Sequence, residues 1–412
     1  VIAAFAIVFT VFIVLNPEPA FGAAVHGLKV WWDIVFPALL PFFVGSEILM
    51  GLGVVHFMGV LLEPLMRPLF NVPGAGSFVL AMGLASGYPI GAMLTARLRE
   101  QELCSKVEGE RLMSFANTAD PLFMTGAVAV GMFGRPDIAT ILLSAHYLSA
   151  ISVGVVMRYY RRSEPPSAPT GAGARGSVPA RAWNSLHEAR ARDGRPFGQL
   201  LGESIGKSVN TLLLIGGFII LFSVFVRILD VIGVVPAIAA AAQALLRPAG
   251  VDPAVVRPMI SGLFEITIGT QAASQATASL AARVATASAV IAWSGLSVHA
   301  QVAAMVQGSG MRIGPYVAAR VLHASLAAVY TVVLWRPLET LAGRWAIPVF
   351  WQATPAAGGA GVWVSRAAIS SVTFGGMLLG LFMLFGFSVV LRGVTFVFLD
   401  ERVPGQPKRR RF

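Results

Sequence analysis

The chain has 412 residues, 56% of them hydrophobic and only 12% charged, with a formal net charge of +11. A soluble domain carries about 25% charged residues, so this composition excludes an ordinary soluble protein and indicates a polytopic membrane protein. The Lys and Arg residues lie mostly in loops and tails, as topology determinants do, so the expected partner is the lipid bilayer and not nucleic acid.

The chain opens on an apolar run, Val1 to Leu15, closed by Asn16-Pro17-Glu18. It lacks the basic region of a signal peptide and reads as a short first span within an N-terminal segment, 1–24. Trp31-Trp32, after Lys29, reads as an interfacial aromatic anchor. Further spans are expected over 34–62, 114–133, 138–158, 208–229, 284–306, 316–336 and 372–391. Segments 75–96 and 255–281 are apolar but interrupted, and read as re-entrant hairpins, because opened backbone inside a bilayer needs protein or a polar cavity to satisfy it. The single cysteine, Cys104, excludes a disulfide framework and reads as an inert thiol in a charged loop.

Arg158 to Pro196 is rich in Pro, Gly, Ser and Arg and reads as a flexible, solvated linker. It divides the membrane region into a first repeat, 25–160, and a second, 201–337, with the linker proper at 161–200. A loop, a last span and a basic tail follow over 338–412. The halves share an order of signals. Phe43-Val44-Gly45-Ser46-Glu47-Ile48 parallels Leu214-Ile215-Gly216-Gly217-Phe218-Ile219, Arg67-Pro68 parallels Arg247-Pro248, and a Gly-Leu…Ile-Gly hairpin comes next in each. The loop carrying Arg97, Arg99, Lys106 and Arg111, the linker and the tail can all be cytoplasmic if 75–96 enters and leaves from inside, and counting spans outward from the linker then places 255–281 on the outer side, so that the halves are inverted. The expected fold is therefore an all-α polytopic membrane protein of two inverted repeats, each with a re-entrant hairpin and a broken transmembrane helix. A matched pair of interrupted segments is the sequence pointer to a transporter's binding site.

Polar residues concentrate at those interruptions. In the first hairpin they are Ser86 and Tyr88, and in the first broken helix Asn117, Thr118 and Asp120, followed by the helix-opening Pro121. The second hairpin carries Glu265, Thr267, Thr270 and Gln271; the second broken helix carries Ser294, Ser297, His299 and Gln301. A carboxylate inside an apolar segment is functional by default, although Asn117, Thr118 and Asp120 are also good helix caps. Glu47 falls mid-span opposite Phe218 in the second repeat, so Glu47 and His299 are candidates for a coupling role. Gly202 to Ser208 resembles the end of a P-loop, but its glycine spacing is one short. There is no H-E-x-x-H or G-x-S-x-G, so no enzyme and no metal site is expected.

At these same residues the chain resembles the YlbJ/SpoVV family of sporulation integral membrane proteins. The match is carried by Phe36-Pro37-Ala38-Leu39-Leu40-Pro41, Glu63-Pro64-Leu65-Met66-Arg67-Pro68, Gly87-Tyr88-Pro89-Ile90-Gly91-Ala92, Asn117-Thr118-Ala119-Asp120-Pro121 and His146-Tyr147. It covers most of 25–160 and, more loosely, 205–335. The resemblance implies a Gate, or nucleoside-recognition, domain distantly similar to concentrative nucleoside transporters. It also implies movement of dipicolinic acid across the outer forespore membrane during sporulation. Asn-Thr-Ala-Asp-Pro stands where nucleoside carriers have a Ser-rich segment, which argues against a nucleoside. The alternatives are a carrier of nucleosides or another small metabolite, and a non-transporting gate or scaffold subunit, with a homo-oligomer allowed by any of these. Asp120 and Glu265 would repel an anionic cargo unless a proton or sodium ion neutralised them. The sequence leaves that coupling ion open, and no cofactor is expected.

Overall fold

The structure, a computed structural model, describes residues 2–121, 123–168 and 177–342, and the regular structure among them is helical. The expected span at 372–391 and the basic tail lie outside the described residues. Among the described residues, four helical stretches are long and apolar enough to cross a bilayer: Pro136–Met157, Phe197–Val231, Leu280–Met305 and Ile313–Arg336. Two bent helix pairs bring the number to six if each counts as one span.

Helix α1 (Ile2–Leu15) bends by 103° into α2 (Pro17–Val30), whose opening proline has no N–H to leave unsatisfied there. A short π-helical turn, Trp31–Val35, leads into α3 (Phe36–Gly51). The span expected over 34–62 is not straight. It bends by 81° at Leu52-Gly53 into α4 (Val54–Phe70), because Gly53 takes a left-handed φ of 83° that glycine adopts without a Cβ penalty. Trp31 is also corrected. It is buried, its indole N–H donates to the Leu212 carbonyl at 2.9 Å, and it rests on Gly216; Trp32 alone is exposed.

The first hairpin is α5 (Gly76–Ser86) and α6 (Ile90–Glu100), with Gly87-Tyr88-Pro89 at its tip. Then comes α7 (Lys106–Ala116), started by a reciprocal cap between Ser105 and Glu108. It breaks at Asn117 and resumes as a π-helical segment, Phe123–Met132, before α8 (Ala139–Met157). Arg111, grouped with the loop cations by its sequence position, is wholly buried. It donates to the carbonyls of Tyr160 and Asn71, closing the ends of α8 and α4.

The linker carries a helix of its own, α9 (Val178–Asp193), which packs against α4 and buries Ala182. A Cβ on Gly53 would come within 2.6 Å of the Leu186 carbonyl oxygen. Asp193 pairs with Arg195 at 2.6 Å, and Arg195 with Glu203 at 2.5 Å. The expectation of a solvated linker therefore does not hold for 178–193, which forms a packed helix.

The second half runs α10 (Phe197–Val231), α11 (Val234–Leu246), the hairpin α12 (Pro253–Phe264) and α13 (Ile266–Gln275), the broken helix α14 (Leu280–Trp293) and α15 (Gly295–Met305), and α16 (Ile313–Ala342). The order of two helices, a hairpin, a broken helix and a further helix thus occurs twice, although α3 and α4 are of nearly equal length (16 and 17 residues) where α10 and α11 have 35 and 13. The packing is reciprocal: α3 lies against α10 and α8 against α16, while α6 meets α15 and α13 meets the π-helical segment. Helix association in a bilayer rests on close packing more than on water release. Small residues do this at both hairpins. A Cβ on Gly91 would run into the Ala116 carbonyl, and one on Gly269 into the Gly262 backbone.

Candidate functional site

Both hairpins and both broken helices contribute to one cavity of about 410 Å³. Tyr88 comes from the first hairpin, Asp120 from the first break, Glu265 and Thr267 from the second hairpin, and Ser297 and Gln301 from α15. Apolar side chains of α3 and α10, among them Leu39, Ile215 and Ile219, close the wall. The sequence residues thus brought together come from four separate segments.

The two carboxylates are held alike. The Phe123 amide donates to Asp120 Oδ1 at 2.8 Å, and the Ile268 amide donates to Glu265 Oε2 at 2.8 Å. Each carboxylate therefore caps the N-terminus of the helical segment that follows it, where the partial positive charge of the helix end favours an anion. Glu265 is buried and extended (φ −146°, ψ 128°), and it ends α12 as well as starting α13. Each hairpin tip rests on a break. A Cβ on Gly87 would lie 2.7 Å from Asp120 Oδ2, and one on Gly295 would lie 3.1 Å from the Glu265 Cα.

The other expected residues support this arrangement from behind. Asn117 receives the Ala92 amide at 3.3 Å and donates to the Tyr316 hydroxyl at 3.0 Å, and Thr118 donates to the Gly83 carbonyl at 3.3 Å. Thr270 bonds back to Ile266 within its own helix, and Gln271 is exposed. Ser294 makes the second break, with φ 71°, and Ser86 is buried with no hydrogen-bond partner for its hydroxyl. His299 Nδ1 lies 2.8 Å from the Gly295 carbonyl, and its ring lies tilted beside Trp293 and edge-on to Tyr316. Glu47 is elsewhere. It faces Arg97 at 3.6 Å and Lys207 at 3.8 Å in a separate polar cavity of about 370 Å³, with Arg195 of the linker on its wall.

Sequence reasoning missed Arg320 of α16, which is wholly buried. Its Nη1 donates to the Asn117 carbonyl at 3.0 Å and to the Ala292 carbonyl at 3.4 Å, and its Nη2 donates to the Ser114 carbonyl. Nη1 also reaches the Tyr88 hydroxyl at 3.4 Å, and that hydroxyl donates to the Ile291 carbonyl at 3.0 Å. One guanidinium thus joins the ends of α7 and α14, the half-helices that stop at the two breaks. The available signal was an arginine within an otherwise apolar span. His146 and Tyr147 were also unassigned. His146 Nε2 accepts the Ala119 amide at 3.0 Å, and Tyr147 donates to the Ala119 carbonyl at 3.2 Å, fixing the strand of backbone that bears Asp120. Among the described residues no cluster of His, Cys, Asp or Glu is placed to hold a metal ion.

Residues 33–162 match the Gate family model, described as nucleoside recognition. Over 343 residues the chain is 45% identical to the sporulation integral membrane protein YlbJ of Bacillus subtilis (strain 168), covering 82% of this chain and 83% of that protein. An uncharacterized protein of Alkalihalophilus pseudofirmus is 27% identical over 164 residues, 38% of this chain and 34% of that protein. No solved structure matches the chain significantly.

Proposed function

The chain belongs to the YlbJ family of sporulation integral membrane proteins, and we propose that it is a secondary carrier that moves dipicolinic acid across the outer forespore membrane. The observation that carries this reading is the convergence of two hairpin tips and two helix breaks on a single cavity. Its volume of about 410 Å³ falls in the range of small-molecule sites, about 300–1,000 Å³. Interrupted helices around a central site are the construction of many secondary transporters.

We read the two halves as inverted repeats. The recurring order of elements and the reciprocal packing of α6 on α15 and of α13 on the π-helical segment support this. The turn after the first hairpin, flanked by Arg97, Arg99 and Lys106, and the linker then face the cytoplasm. In this arrangement Asp120 and Glu265 bind cargo through a co-bound cation, Tyr88, Thr267, Ser297 and Gln301 supply neutral hydrogen bonds, and no covalent chemistry takes place. The protein is a carrier and not an enzyme.

The Gate match favours a second reading, in which the cargo is a nucleoside. Against it, Asn117 and Thr118 spend their side chains on Tyr316 and Gly83 and do not line the cavity. Thermal unfolding of the purified protein separates the readings. Dipicolinate should raise the melting temperature in a saturable way and uridine or adenosine should not; the reverse pattern would transfer the site to nucleosides.

A further inference from the structure

Helices α7 and α14 both stop inside the membrane domain, where their last carbonyls have no intrahelical partner. Half-helix C-termini carry partial negative charge, and in carriers built from discontinuous helices such ends and the unwound carbonyls beside them hold sodium. In this protein four carbonyls at those ends are taken. Ser114, Asn117 and Ala292 all receive Arg320, and Ile291 receives the Tyr88 hydroxyl that Arg320 also touches. A guanidinium is always charged and, being tethered to α16, cannot leave with a cargo.

We infer that Arg320 is a fixed cation standing where a carrier of this construction would hold free sodium, and that the mobile positive charge is a proton carried by Asp120 and Glu265. This rests on the transport reading above and selects its coupling ion.

The chemistry of the two carboxylates agrees. Each carboxylate caps a helix by accepting a backbone amide, at Oδ1 of Asp120 and at Oε2 of Glu265. A protonated carboxyl keeps acceptor capacity, so a proton can be taken up while the cap persists. Protonation also removes the repulsion that an anionic cargo would meet beside two carboxylates. Tyr88 shares the cavity with the pair, and the titratable groups bonded around the two breaks are Tyr147 and His146 on α8 at Ala119, His299 on α15 at Gly295, and Arg320 on α16 at Tyr88. None of these is a further carboxylate that would share the proton.

The test uses the purified full-length chain in sodium-free buffer. Thermal unfolding is followed while sodium chloride replaces choline chloride at constant ionic strength. The expected result is no saturable, sodium-specific rise in melting temperature; such a rise would overturn the assignment. In vesicles, an inward proton gradient without sodium should drive labelled dipicolinate above its equilibrium level, and a protonophore should abolish the accumulation. Accumulation driven by a sodium gradient at equal pH would overturn the inference. If dipicolinate enters under neither gradient, the cargo reading fails, and the sodium titration still decides the assignment of Arg320 by itself.

Discussion

Asp120 and Glu265 face the same cavity and are tied down in the same way, each accepting the amide N–H three residues ahead at 2.8 Å. The arrangement separates their structural and functional parts. An amide side chain preserves the cap, since its oxygen still accepts, but it cannot carry a charge or a proton. Asp120→Asn and Glu265→Gln should therefore cost less than about 1 kcal/mol of stability while lowering transport by at least about tenfold. Uptake normalised to folded protein in the membrane measures the difference. Normal uptake by either variant would remove that residue from the coupling role.

Arg320 should behave oppositely. Removing it strands the Ser114, Asn117 and Ala292 carbonyls, and each unsatisfied buried acceptor costs about 1–3 kcal/mol. Arg320→Ala should accordingly fail to accumulate as folded protein. Arg320→Lys keeps the charge but lacks the planar fork, and should fold with a lowered melting temperature. Size-exclusion profiles and thermal unfolding of the detergent-purified variants check both.

The carboxylates and the breaks were legible because they contradict their surroundings: Gly87, Pro89 and Gly295 interrupt apolar runs, and Asp120 and Glu265 put charge into them. Arg320 was legible only as a lone charge, not by its role. One charge does not interrupt an otherwise apolar span such as 316–336, and its partners are backbone carbonyls, which no side-chain pattern encodes. The roles of Asn117 and Thr118 were open in sequence between cap and ligand, and the fold turns both towards internal partners. Helix α9 was hidden by averaging. The Pro, Gly and Ser residues of 163–177 set the character of the linker, although Pro179 and Gly194 are ordinary start and stop signals for a helix between them.

Helix α9 gives a pH-dependent prediction. The Arg195 hydrogen bonds hold the Asp193 carboxyl below the usual carboxylate range, against the smaller opposing effect of burial. A depressed folded-state value means that this clamp contributes fully above the unfolded value, about 3.9, and is lost as pH falls through the folded value. At neutral pH, Arg195→Gln should raise proteolytic cleavage of the linker by about two- to five-fold, matching the roughly 0.5–1 kcal/mol of a partly exposed ion pair. Unchanged cleavage would mean that α9 is held by its packing on α4 alone.

Cys104 lies at the base of the first hairpin, buried, and burial aided by the Glu108 charge pushes its thiol up to about 12. It should resist maleimide in the folded protein and react only after denaturation. The native chain is thus a background for topology mapping. Single cysteines at Gln101 and Pro248, both exposed, should label from opposite sides of the membrane if the halves are inverted. Labelling from the same side would refute the inverted arrangement.

The central claim, that this cavity carries a small dicarboxylate across the membrane, is tested most directly by uptake of labelled dipicolinate into vesicles containing the purified chain. The account predicts saturable uptake above empty vesicles, undiminished by excess nucleoside and absent with Asp120→Asn. Vesicles that hold folded protein yet take up no more dipicolinate than empty ones would contradict it.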